Sequence, residues 1–187
     1  MKDVDTDLII PAQFLTSISK DGYGENLFAR LREGNPNFPL NKPQYADASV
    51  LVADNNFGCG SSREHAVWAL TGAGIKVVIA KSFADIFYNN SSKNGLLLVV
   101  LPAATVDQII HEAEKGDCVV TVDLATQTVT LPDGSKHSFD YDPFRKHCML
   151  NGLDDIDYIK SHTDEIDQFR ARQQKYQYMS TLKGSVR

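Results

Sequence analysis

Ser61, Ser62 and Arg63 stand together after Asn56-Phe57-Gly58-Cys59-Gly60 and before Glu64-His65-Ala66. Two hydroxyls beside a guanidinium suit an anion, because the planar fork of arginine matches a carboxylate in two parallel hydrogen bonds. The hydrophobic run Val50-Leu51-Val52-Ala53 enters this stretch, and a helix-like segment through Trp68 and Leu70 leaves it. The pattern therefore predicts a strand, a glycine turn and a helix start. Gly58 and Gly60 allow positive φ or close backbone approach in that turn. The helix start then offers unpaired N–H groups and the positive end of its dipole.

Part of the stretch also fits a capping box, with Ser61 as N-cap and Glu64 reaching back from the third helical position. Capping leaves the two glycines, the doubled serine and Arg63 without a reason. A cation in the first helical turn is disfavoured by the dipole, so Arg63 implies that something negative is brought to it.

Four ordered blocks carry a more specific message. They are Asp5-Thr6-Asp7-Leu8-Ile9-Ile10-Pro11, Gly58-Cys59-Gly60-Ser61-Ser62-Arg63-Glu64-His65-Ala66, Lys81-Ser82-Phe83-Ala84-Asp85-Ile86-Phe87 and His147-Cys148-Met149-Leu150-Asn151-Gly152-Leu153-Asp154. Together they resemble the swivelling domain of the aconitase superfamily, and within it the 3-isopropylmalate dehydratase small-subunit family. The first two blocks are shared by sister enzymes; the last two look more particular to the bacterial leucine-pathway subunits.

The resemblance implies an α/β fold, a swivelling β/β/α domain with mixed parallel and antiparallel strands. It implies reversible dehydration of a hydroxy-dicarboxylate: 2-isopropylmalate to 3-isopropylmalate through 2-isopropylmaleate. Ser61 would be the base, and Ser62, Arg63, Asp5 and Thr6 would bind substrate. The Lewis acid would be a [4Fe-4S] cluster held by three cysteines of a separate large subunit, so this chain would be one half of a hetero-oligomeric enzyme with no metal of its own. Sister hydro-lyases of the homoaconitase, citramalate or dimethylmalate type share the signature, and a non-catalytic anion-binding module could use the same helix tip. A third alternative is a chain that folds but no longer assembles. Family members usually carry some tens of residues before the Asp5 block, so the chain reads as shortened at its N-terminus.

Composition narrows the alternatives. The 187 residues can hold one domain with a proper core, and hydrophobic and charged fractions of 42% and 23% are those of an ordinary globular protein. A formal charge of -5 without dense Lys or Arg runs argues against nucleic acid as a partner. No apolar run is long enough for a membrane span and no secretory leader is evident, which makes a cytoplasmic home the expectation. Cys59, Cys118 and Cys148 form no close pair, so neither a structural zinc clip nor a disulfide framework is expected. Cys59, between two glycines, reads as a small residue in a tight turn. P-loop, Rossmann, zincin and nucleophile-elbow motifs are absent, and His65 and His147 read as structural histidines.

Along the chain, Asp5-Thr6-Asp7 reads as a polar loop running into a short buried strand ended by Pro11. Residues 13–45 read as a long loop with one helical turn around Asn26 to Leu31. In the resembled family this loop helps select the substrate side chain, making Phe14, Leu15 and Ile18 candidates for an apolar contact; core positions suit them equally. From Ala48 the pattern predicts β-α-β units: strands at Ile75 to Ala80 and Leu96 to Leu101, a short helix capped by Ser82, and a helix over 105–115. An antiparallel meander follows over Cys118 to Phe139, then a helix opened by Asp142-Pro143 and closed by Asn151-Gly152. The reading places one domain at 1–169 and a frayed polar tail at 170–187.

Overall fold

A computed structural model describes residues 1–15, 19–116 and 118–175. They divide into two compact units, Met1–Gly152 and the residues from Leu153 onward.

In the first unit the elements run α1 (Thr6–Ile9), α2 (Ala29–Arg32), β1 (Val50–Val52), α3 (Glu64–Gly72), β2 (Val77–Ala80), α4 (Asp85–Lys93), β3 (Leu97–Val100), α5 (Ala103–Lys115), β4 (Thr121–Asp123), β5 (Thr128–Thr130), β6 (Lys136–Ser138) and α6 (Pro143–Asn151). The second unit contains α7 (Asp155–Ser161) and α8 (Thr163–Lys175). The expected polar tail is thus helical as far as Lys175; residues 176–187 lie outside the described part.

Strands β1, β2 and β3 form a parallel sheet in sequence order, with Leu51 beside Val78 and Val78 beside Leu98. Parallel strands need crossovers, and the α3 and α4 segments supply them. Alternate side chains go to opposite faces. Val78, Ala80 and Leu98 join Ala66, Val67, Leu70 and Phe87 in one core; Ile79, Leu97 and Val99 join Val106, Ile109, Val129 and Phe139 in another. A sheet covered on both faces has no need of polar alternation, which is why these strands read as continuous hydrophobic runs.

Strands β4, β5 and β6 form a separate antiparallel meander, Val122 opposite Val129 and Val129 opposite His137. The expected mixture of parallel and antiparallel strands is therefore a mixture of two sheets. Helix α6 begins at an Asp142 cap that accepts from the Arg145 N–H, and ends at Gly152 with φ +63°, as Asp-Pro and Asn-Gly predict. Among the described residues no helix is long and apolar enough to cross a membrane.

Three local expectations are corrected. Leu8-Ile9-Ile10 is no strand: Thr6–Ile9 is one helical turn, because the Asp5 carboxylate accepts from the Leu8 N–H and folds the chain over. The turn expected around Asn26 to Leu31 splits into a 3-10 turn at Tyr23–Asn26 and α2. Ser82 caps no helix; its Oγ accepts from the Asn56 N–H at 2.8 Å and donates to Asn55 Oδ1 at 2.6 Å, while α4 starts at Asp85.

Candidate functional site

The signature stretch leaves β1 and runs between two rails. On one side is the chain start: the Asp3 N–H donates to Asn55 O, Gly58 N–H to Val4 O at 2.7 Å, and Thr6 N–H to Cys59 O at 2.9 Å. On the other side, Phe57 N–H donates to Ser82 O and Ala84 N–H to Phe57 O. Isolated parallel bridges, Asp5 with Cys59 and Phe57 with Phe83, mark the same two lines of contact. The loop is in effect a short central strand beyond the sheet.

Both signature glycines are required by geometry. Gly58 has φ +78°, and a Cβ there would lie 2.2 Å from Cγ of Phe87. Gly60 has φ +90°, with Asp5 and Thr6 at 3.4 Å from a notional Cβ. These conformations hold Cys59 half-buried against Asp5. Its thiol is pushed above the ordinary range by burial and then by the Asp5 and Asp3 carboxylates. A thiol kept protonated is a poor metal ligand. Burial, with help from Glu112, does the same to Cys118. Among the described residues no three His, Cys, Asp or Glu side chains come together in a way that could hold a metal ion.

The capping box is corrected. The hydroxyl of Thr6 donates to Ser61 O at 3.1 Å, and this tie keeps the chain extended beyond Gly60. Arg63 is still extended, at φ -133° and ψ 112°, and occupies the N-cap position; helix α3 begins only at Glu64 and no side chain caps it. Ser61 and Ser62 are exposed, and among the described residues neither hydroxyl has a hydrogen-bond partner. A serine oxygen close to a bare helix start is unencumbered by capping. It is also open to solvent.

Arg63 is held by a carboxylate of its own chain. Its Nη1 meets Asp7 Oδ1 at 2.5 Å, with the arginine side chain 19% exposed and the aspartate 41%. The negative group implied by an arginine at a positive helix end is therefore present within the chain. Asp7 is the site residue that sequence reasoning missed as a participant; its signal was that implied need for an anion, together with its place in the Asp5-Thr6-Asp7 block. A groove of about 170 Å³ lined by Gln108, Ile109, Glu112, Leu131, Pro132 and Asp133 lies elsewhere, along α5.

The structure sets the Asp5-Thr6-Asp7 block against the signature loop: Asp5 bridges to Cys59, Thr6 donates to the Ser61 carbonyl, and Asp7 binds Arg63. Phe14 and Leu15 are half-buried and pack against the core that contains Ile9, Ile10 and Phe28, whereas Ile18 lies outside the described residues. His65 stands edge-on to Tyr23 at 5.3 Å and to Trp68 at 4.7 Å, a packing role on the first turn of α3.

Comparison with known proteins gives a consistent picture. Residues 1–104 match the model described as Aconitase C-terminal domain, and residues 107–143 match one described as LeuD_N. The chain is 57% identical over 173 residues to the 3-isopropylmalate dehydratase small subunit of Francisella philomiragia, covering 92% of this chain and 91% of the relative. It is 57% identical over 175 residues to the small subunit of the same name from Jannaschia sp. strain CCS1, covering 90% and 87%. A crystal structure of 3-isopropylmalate dehydratase from Methanocaldococcus jannaschii superposes with a TM-score of 0.69 at 32% identity, covering 89% of this chain and 92% of that one. With the two sheets, the railed glycine loop and the Ser-Ser-Arg tip in place, these matches show that the chain belongs to the 3-isopropylmalate dehydratase small-subunit family of the aconitase superfamily.

Proposed function

We propose that this chain is the small subunit of a 3-isopropylmalate dehydratase, acting in leucine biosynthesis as one half of a cytoplasmic hydro-lyase. The observation that carries the reading is the uncapped Ser61-Ser62-Arg63 tip, its two serines exposed, placed by the Asp5–Thr6 rail. Arg63 binds a substrate carboxylate through the part of its fork that Asp7 leaves uncommitted, and Ser62 adds a hydroxyl. Ser61 takes the proton from the carbon adjacent to the one that bears the departing hydroxyl, and returns it on rehydration. An alkoxide is far from the ordinary state of serine. A bare helix N-terminus, a guanidinium and exclusion of water all favour it.

The chain supplies the first two of those conditions, and the exposure of Ser61 means that the third comes from a covering surface. A large subunit is that surface in this reading. The Lewis acid that accepts the hydroxyl, a [4Fe-4S] cluster by family resemblance, is assigned to the large subunit. Phe14 and Leu15 are proposed to meet the isopropyl group with whatever part of them the core leaves accessible. Sister dicarboxylates remain the alternative substrates.

The test is co-purification with a cognate large subunit followed by an assay of isopropylmaleate absorbance. Turnover with the two subunits and none with either alone is expected. Tight dicarboxylate binding by this chain alone, measured by calorimetry, with no gain on adding the large subunit, would favour an anion-binding module.

A further inference from the structure

The Lys81-Ser82-Phe83 block has no part in the reaction as described, yet it touches the signature loop at several points. Lys81 is the first residue beyond β2 and its side chain is only 20% exposed. Its ammonium lies 2.9 Å from Asp54 Oδ1 and 2.6 Å from Asp107 Oδ1. Asp54 leads from β1 into the signature loop, and Asp107 is on α5, so one cation joins the exit of β1, the end of β2 and a covering helix.

The next residue continues the same contact. Ser82 binds the side chain of Asn55 and the N–H of Asn56, and its carbonyl accepts from Phe57. Lys81 therefore fixes where the loop leaves the sheet, and Ser82 fixes the three residues that come next. Asn56 takes φ +58°, an uncommon conformation for a residue with a side chain, and the Ser82 contact is one of those that hold it there.

We propose that Lys81, acting through Asp54 and Ser82, is the positioning residue that sets the height of the Ser61-Ser62-Arg63 tip above the sheet. It does not touch substrate. Two carboxylates converge on it, so a neutral replacement would leave both without their cation, Asp54 keeping only the Asn55 N–H at the loop entrance. Arginine can keep both bridges; methionine keeps the aliphatic stem alone.

The loop arm of the test uses the full chain and needs no catalysis. In Lys81→Met, hydrogen exchange at the Asn56, Phe57 and Gly58 amides is expected to speed up about tenfold relative to the α3 amides, as for loosened hydrogen bonds. Lys81→Arg is expected to restore the native rates. Should Lys81→Met fail to fold, Ser82→Ala keeps all three charges, and the same amides are expected to exchange faster. The kinetic arm rests on the function proposed above: with the large subunit present, kcat falls about tenfold in Lys81→Met while KM stays within about twofold, because the loop that carries Ser61 loosens while Asp7 still holds Arg63 for the carboxylate. Native exchange rates in the methionine and alanine variants would overturn the proposal, as would a KM effect without a kcat effect. Faster exchange in an assembly with no dehydratase activity would refute the function and leave the positioning role standing.

Discussion

Asp7 holds Arg63 by a single 2.5 Å contact, so the guanidinium at the mouth of α3 is oriented by a carboxylate 56 residues earlier in the chain. One nitrogen and one oxygen make the bond. The remaining donors of the fork are the ones that can serve a substrate. Asp7→Asn is expected to lower kcat/KM at least about tenfold, the worth of one charge-assisted hydrogen bond. Its urea midpoint should barely move, since a pair this exposed contributes at most about 1 kcal/mol. A lower KM in this variant would show that Asp7 competes with substrate instead of aiming the arginine. Arg63→Lys is expected to raise KM about tenfold or more, because a point charge cannot replace a fork.

Ser61 carries no capping duty, so its removal separates chemistry from folding. Ser61→Ala is expected to cut kcat by about 10²- to 10⁴-fold, the range for a general base. The melting temperature should be unchanged, because α3 starts after Arg63 and loses no cap. Full activity in the alanine variant would remove Ser61 as the base.

The two signature glycines should differ in what they tolerate. Gly58→Ala combines a left-handed φ with a Cβ inside the Phe87 ring, and about 2–5 kcal/mol of destabilisation is expected from strain plus overpacking. Gly60→Ala carries the strain without the severe overlap, and about 1–2 kcal/mol is expected. Urea denaturation of both variants gives the comparison; equal losses would show that Phe87 can move aside.

Ser91 on α4 is fully buried, and among the described residues its Oγ has no hydrogen-bond partner. A buried hydroxyl left unsatisfied costs about 1–3 kcal/mol. Ser91→Ala should therefore stabilise the chain by about 1 kcal/mol, read from the shift in urea midpoint. A loss of stability would mean that packing around the oxygen matters more than its desolvation.

Acid sensitivity has a definite sign. Asp54 is held below its ordinary value of 3.8 chiefly by Lys81, Asp123 by Thr126 and Asp133 by Ser135. A depressed folded pKa contributes stability that is fully present above the unfolded value and is lost as pH falls through the folded one. Stability is thus expected to decline as pH drops below about 4. Replacing the three aspartates by asparagine should flatten that decline in denaturant midpoints measured across the acid range. A slope unchanged by the replacements would place the acid response in other carboxylates.

Much of this arrangement was written locally. Hydrophobic runs marked all three parallel strands, the third bounded by Gly95 and Pro102, and Asp142-Pro143 and Asn151-Gly152 marked both ends of α6, because these signals act over a few residues. The same locality explains the failures. Ser61 with Glu64 satisfied the capping pattern, and Ser82 stood where a cap is expected, yet Thr6 ties the Ser61 carbonyl from outside the helix and Asn55 and Asn56 claim the Ser82 hydroxyl. Leu8-Ile9-Ile10 had strand-like residues but was folded into a turn by Asp5.

By itself, the sequence determined the family, the two kinds of β-structure and the identity of the Ser-Ser-Arg tip, since these depend on residue types, short spacings and the order of four motifs. Only the tertiary structure decided that Thr6 would hold Ser61 out of the helix, that Lys81 would gather Asp54 and Asp107, and that Asp7 would be the anion facing Arg63. Each is a contact between segments far apart in the chain. Such contacts form when strand packing brings the segments together, and no local pattern specifies which partner arrives.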